Sequence, residues 1–112
     1  MVEVSLKTGP VRMSGYALKL RRATNAALRK LYQEKKIEPK IANQMLTDLN
    51  KSLYEILINK YNIPKDAVIN IELVLDISDS NLNLKDINIS IYNKDDILSG
   101  NVTKELKQLL KL

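Results

Sequence analysis

Apolar residues change their spacing three times along this chain, and each change predicts a different kind of element. Over residues 2–13 they alternate with polar ones (Val2, Val4, Leu6), the period of a half-buried strand. Thr8, Gly9 and Pro10 interrupt that run with turn chemistry, so the strand is expected to bend or break there. From Ser14, a candidate helix cap, the spacing becomes helical. On a wheel of about 100° per residue, Tyr16, Ala17, Leu20, Ala23, Ala27, Leu28 and Leu31 fall in one arc, which predicts a helix over residues 14–36. Ile37, Glu38 and Pro39 end it and begin another over residues 39–61, because proline suits the first helical turn. There Ile41, Met45, Leu49, Leu53 and Ile56 share one face, which Leu46 and Leu57 widen. Tyr54 and Ile58 lie off that face, either as ordinary exposed residues or as a contact between subunits.

Past Pro64 the period returns to two. Ile69, Ile71, Leu73, Leu75 and Ile77 alternate with Asn70, Glu72, Val74 and Asp76, and Ile87, Ile89 and Ile91 repeat the pattern. Residues 78–86, rich in Asn, Asp and Ser, read as a long hairpin loop between two antiparallel strands. A short amphipathic helix over residues 101–112, capped by Asn101, closes the chain. The expected order is β-α-α-β-β-α. This predicts an α+β, two-layer sandwich in which a helical hairpin packs on a small antiparallel sheet. One domain spans residues 1–112, with its core in residues 2–92.

Composition narrows the chemistry. The 112 residues contain no cysteine and no histidine, so disulfides, thiolate zinc sites and the commonest general base are all excluded. No nucleophile, acid and base set can be assembled, and the expectation is a non-enzymatic protein without cofactor or metal. No apolar run is long enough to span a bilayer, which points to a cytoplasmic protein. Asp79, Asn81 and Asn83 have the opening spacing of a calcium loop, but Leu84 and Ser90 replace its glycine and glutamate, so a strand connection explains them better. Asp95 and Asp96 likewise read as a turn rather than a paired acid site.

Charge singles out one region. Residues 1–40 carry ten Lys or Arg against three acidic residues, whereas residues 41–112 carry eight against ten, within an overall charge of +5. All four arginines, Arg12, Arg21, Arg22 and Arg29, lie in the first of these segments, and every later basic residue is lysine. Arginine's planar, permanently charged fork suits phosphate and carboxylate, so its confinement here predicts a surface for an anionic partner. On the wheel Lys19, Arg22, Arg29, Lys30 and Lys36 oppose the apolar arc, with Arg21 and Asn25 at its edge. A solvated helix face is the plain alternative. Arg12, Lys19, Arg21, Arg22, Arg29, Lys30 and Lys36 are the expected contacts to backbone phosphates. The five tyrosines are scattered, which favours duplex DNA or structured RNA over stacked single strands, and Tyr32, beside the basic stripe, is the tyrosine placed to stack a base.

Residues 8–22 (TGPVRMSGYALKLRR) and 49–60 (LNKSLYEILINK) resemble a family of short archaeal, mainly crenarchaeal, proteins catalogued as a domain of unknown function. Thr8, Gly9, Tyr16, Ala17, Lys19, Arg21, Arg22 and Leu53 through Glu55 carry the resemblance, which covers about residues 5–92. It implies an archaeal cytoplasmic protein and no catalytic residues. Size and charge are also similar to those of small archaeal chromatin proteins, although the helical hairpin departs from the Alba fold. The expected function is therefore nucleic-acid binding through phosphate backbones with little sequence preference. The competing expectation is an assembly subunit that meets an acidic partner protein. In either case a homo-oligomer, a dimer first, is expected from Tyr54, Ile58 or the terminal helix.

Overall fold

The computed structural model describes residues 2–92 and 96–112. Strands β1 (Val2–Lys7) and β2 (Val11–Arg12) precede helices α1 (Tyr16–Gln33) and α2 (Pro39–Tyr54). Strands β3 (Val68–Ser78) and β4 (Asn81–Tyr92) follow, and α3 (Asp96–Leu110) ends the chain. This is the expected α+β order, with the first strand broken at Gly9, whose φ of 71° suits glycine. Central β3 pairs antiparallel with β4 along one side and with β1 and then β2 along the other. Thr8 bridges the break: its N–H donates to the Ile71 carbonyl at 2.9 Å, and the Ile71 N–H donates to its hydroxyl at 3.1 Å.

The inward row of β3, Ile69, Ile71, Leu73, Leu75 and Ile77, is buried beneath the helical hairpin. From α1 it receives Tyr16, Leu20, Thr24 and Leu28, and from α2 it receives Ala42, Leu46 and Leu53. Each fully buried Leu or Ile contributes roughly 1.5–3 kcal/mol of transfer free energy. Ala17 and Ala27, placed by the wheel in the apolar arc, are exposed, and Thr24 is the polar residue inside it. The stripe of α2 is rotated from expectation. Leu46 and Leu53 are buried, Ile41, Met45 and Leu49 only partly so, and Ile56 is exposed. Beyond Tyr54 the helix widens into a π-helical segment, Glu55–Lys60. Its extra residue per turn shifts the phase, so Leu57 and Ile58 turn toward the core while Tyr54 stays exposed.

Four boundaries differ from the sequence reading. Ser14 does not cap α1: Met13–Gly15 is a 3-10 turn, and Gly15 precedes the helix with no side-chain cap. The backbone N–H groups of Met13 and Ser14 instead donate to the carbonyls of Ala67 (2.9 Å) and Lys65 (3.2 Å). At its other end α1 stops at Gln33, because Lys35 adopts a left-handed φ of 58° and the N–H of Lys36 returns to the Leu31 carbonyl at 2.9 Å. This is a Schellman-type stop built on a lysine. The long loop assigned to residues 78–86 is mostly strand. A two-residue turn at Asp79 and Ser80, both with positive φ, joins β3 directly to β4. Lys85 is a bulge, since Val74 pairs with Asp86 and Leu75 with Leu84. Skipping one residue keeps Leu82 and Leu84 on the same side as Ile87, Ile89 and Ile91, a continuity that the break in alternation conceals. Finally, α3 begins at Asp96, so Asn101 lies inside the helix and caps nothing, while Asp95 falls outside the described residues. No residue of α3 is buried.

Candidate nucleic-acid interface

The polar side of α1 is bare. Helix α2 and the sheet cover the arc from Tyr16 through Leu28, leaving the opposite arc to solvent. Five residues of that side, Leu18, Arg22, Asn25, Ala26 and Arg29, line an open groove with Arg21 and Tyr32, about 530 Å³ in volume. Arg22 and Arg29 are exposed, while Arg21 is half-buried and leans on α2, its Nη1 donating to Asn43 Oδ1 at 3.0 Å. A neutral amide fixes that fork without cancelling its charge. Across the groove the Tyr32 hydroxyl donates to Asn25 Oδ1 at 2.7 Å, which sets the ring against the helix. Partial burial raises the pKa of that phenol, so it remains a neutral donor.

Electrostatics leave the groove cationic. Among the described residues, one ion pair meets the 4.0 Å distance, between Lys85 Nζ and Glu3 Oε2 at 2.6 Å, and it joins β4 to β1 far from α1. The arginines of α1 are therefore neutralised by no carboxylate of their own chain within the described residues. Leu18 is 56% exposed on the basic side of the helix and gives the groove an apolar floor.

The seven residues expected to meet phosphate divide into groups. Arg21, Arg22 and Arg29 converge in the groove. Lys19 and Lys30 are exposed on α1 but outside its lining, and Arg12 is exposed on β2, ahead of the 3-10 turn. Lys36 lies past the helix stop, beside Val2 and the Asp79–Ser80 turn, in a separate depression. Sequence reasoning missed Leu18 and Asn43. Leu18 was recoverable as an apolar residue on a polar arc, whereas Asn43 belongs to another helix and had no local signal.

A family described as ThermoDBP-related, archaea, matches over residues 6–83, a span that contains both motifs of the archaeal resemblance. That description replaces the unassigned one implied by the motifs. Among solved structures, apeThermo-DBP-RP2 bound to ssDNA dT10 superimposes with a TM-score of 0.80 at 24% identity, covering 99% of this chain and 54% of that one. The likeness is one of fold, and the chain spans about half the length of that neighbour. A second structure, pfuThermo-DBP-RP1 (crystal form II), gives a TM-score of 0.69 at 26% identity over 96% of this chain and 73% of the other. No curated protein sequence matches. No helix among the described residues is long and apolar enough to cross a membrane.

Proposed function

The chain belongs to the ThermoDBP-related family of archaea, and from that premise we propose that it binds single-stranded DNA along the α1 groove. One observation carries the reading: Arg21, Arg22 and Arg29, unpaired by carboxylates among the described residues, converge with Leu18 and Tyr32 in a single open channel. A duplex offers phosphates alone to such a channel, its bases being stacked inward. A single strand offers phosphates and base faces together, which an arginine row beside an aliphatic and an aromatic side chain can use at once. The DNA held by the structural neighbour of the same fold supports the choice of a single strand. Lys19, Lys30 and Arg12 flank the channel and extend the field that draws the strand in. Sequence preference is low, because phosphate contacts and stacking are both indifferent to base identity.

Titration of a labelled ten-thymidine strand, the matching duplex and an RNA strand at several salt concentrations tests this. Three phosphate contacts give log affinity a slope of roughly −2 against log salt for single strands. Binding that ignores salt, or that survives Arg22→Ala with Arg29→Ala, overturns the proposal. Equal or tighter binding of the duplex returns it to backbone contact alone. An acidic protein retained from nuclease-treated host lysate would favour the assembly-subunit reading. Self-association belongs to the same proposal. The apolar side chains of Val102, Leu106, Leu109 and Leu110 are exposed along α3, and a second copy of that helix is a natural cover.

A further inference from the structure

A second concavity lies where α1 begins. Two stretches far apart in sequence build it: Met13, Ser14, Tyr16 and Ala17 on one side and Tyr54, Ile58 and residues 62–65 on the other. It encloses about 610 Å³, within the roughly 300–1,000 Å³ range of small-molecule sites. The backbone bonds from Met13 to Ala67 and from Ser14 to Lys65 tie its two walls together. The π-helical segment supplies Ile58, and such widened turns occur disproportionately at functional positions.

Three features show what the cleft would accept. Its walls are mainly apolar, with Tyr54 51% exposed. Tyr16 lines it and is only 6% exposed, and its hydroxyl, which bonds no other side chain, opens into the cleft, where a ligand can take the place of water. Its one charged lining residue is Lys65, a cation that can pair with a phosphate, and the first turn of α1 holds no acidic residue to compete for it. Burial, and secondarily the neighbouring Tyr54, raises the Tyr16 pKa and keeps that phenol protonated. Apolar walls, a tyrosine hydroxyl and a lysine match a base joined to a phosphate.

We propose that this cleft receives one unstacked nucleotide of the bound strand, with its base against Tyr54 and Ile58 and its phosphate near Lys65 and the start of α1. The inference rests on the strand-binding reading above. The two sites are neighbours at the amino end of α1: Ala17 lines the cleft and the next residue, Leu18, lines the arginine groove. A strand following the arginines toward the amino end of α1 arrives there.

Thymidine monophosphate and the ten-thymidine strand, each followed by backbone-amide NMR, separate the two claims. The mononucleotide is expected to shift the amides of residues 16–19 and Lys65. Ala17→Leu fills the mouth from an exposed helical position without touching the core. It should abolish those shifts and weaken the ten-mer by about tenfold, the scale of one stacked base. Tyr54→Ala should do the same to a smaller extent. Arg22→Ala with Arg29→Ala should weaken the ten-mer and leave the mononucleotide shifts in place. A mononucleotide that moves no cleft amide, or an Ala17→Leu protein that binds both ligands as the parent does, overturns the proposal. A mononucleotide seated in the cleft of a protein that ignores the ten-mer supports the nucleotide site and removes the strand reading.

Discussion

Helices α1 and α3 are both amphipathic and basic on their polar side, yet only α1 buries its apolar side within the chain. Tyr16, Leu20 and Leu28 are covered by the sheet and α2, whereas Val102 and Leu106 are each 49% exposed and Leu109 is 78% exposed. The difference is one of attachment. Helix α1 is fastened at both ends, by the 3-10 turn clamped to Lys65 and Ala67 and by the hairpin into α2, whereas no residue of α3 is buried. An apolar stripe in a sequence therefore announces a partner surface without saying whose. For α1 the partner is the same molecule. The consequence for function is that the arginines of α1 stand on a helix packed against the core, whereas the lysines of α3 stand on a helix with no buried residue.

Core substitution separates the two most strongly. Leu28→Ala is expected to destabilise the domain by about 2–5 kcal/mol in chemical denaturation, because the side chain is fully buried and its cavity only partly collapses. Leu106→Ala should change the dilute monomer's unfolding by less than about 0.5 kcal/mol. If it acts as strongly as Leu28→Ala at every protein concentration, α3 is packed and the contrast fails. If its effect grows with concentration, α3 pairs between copies.

Matched charge removal is the next largest test. Arg22→Ala with Arg29→Ala should weaken binding of the ten-thymidine strand by about 3 kcal/mol at low salt, the scale of two charge-assisted contacts. Lys104→Ala with Lys107→Ala removes the same charge from α3 and should cost less than about 0.5 kcal/mol. Equal losses would mean that net charge, not the groove, holds the strand. Within the groove, Tyr32→Ala should cost about 1 kcal/mol and Tyr32→Phe much less, since stacking needs the ring and not the hydroxyl. The tyrosine's bond to Asn25 predicts that the phenylalanine variant loses a little precision in ring placement rather than the contact itself.

Much of this architecture was legible because two hydrophobic periods, 2 and 3.6, alternate cleanly along the chain. What was not legible came from single residues that slip the phase. The bulge at Lys85 offsets Leu82 and Leu84 from Ile87 and made strand look like loop. The π-helical segment moved Ile58 toward the core. In the candidate site, the confinement of arginine was visible at once, but the wheel did not separate the three arginines that converge from the lysines that flank them. The cleft had no local signature, since residues 13–17 and 54–65 meet only after folding.

The smallest test concerns how the two helices stop, because they stop in the same way. Lys35 and Lys111 both have φ of 58°. In each case the lysine's N–H bonds a carbonyl three residues back (Tyr32 and Gln108), and the next N–H bonds one five back (Leu31 and Lys107). A left-handed backbone costs a side-chain-bearing residue roughly 1–2 kcal/mol, and glycine recovers this less the entropy, about 0.4–1 kcal/mol, that it adds to the unfolded chain. Lys35→Gly should therefore stabilise the domain by about 0.5 kcal/mol, since α1 forms only as the domain folds. Lys111→Gly relieves the same local strain at the end of a helix that buries nothing in the monomer, so a dilute melt should not register it. A stabilisation shared equally by both variants would show that α3 folds cooperatively with the body, and the asymmetry between the two helices would then lie in their surfaces alone.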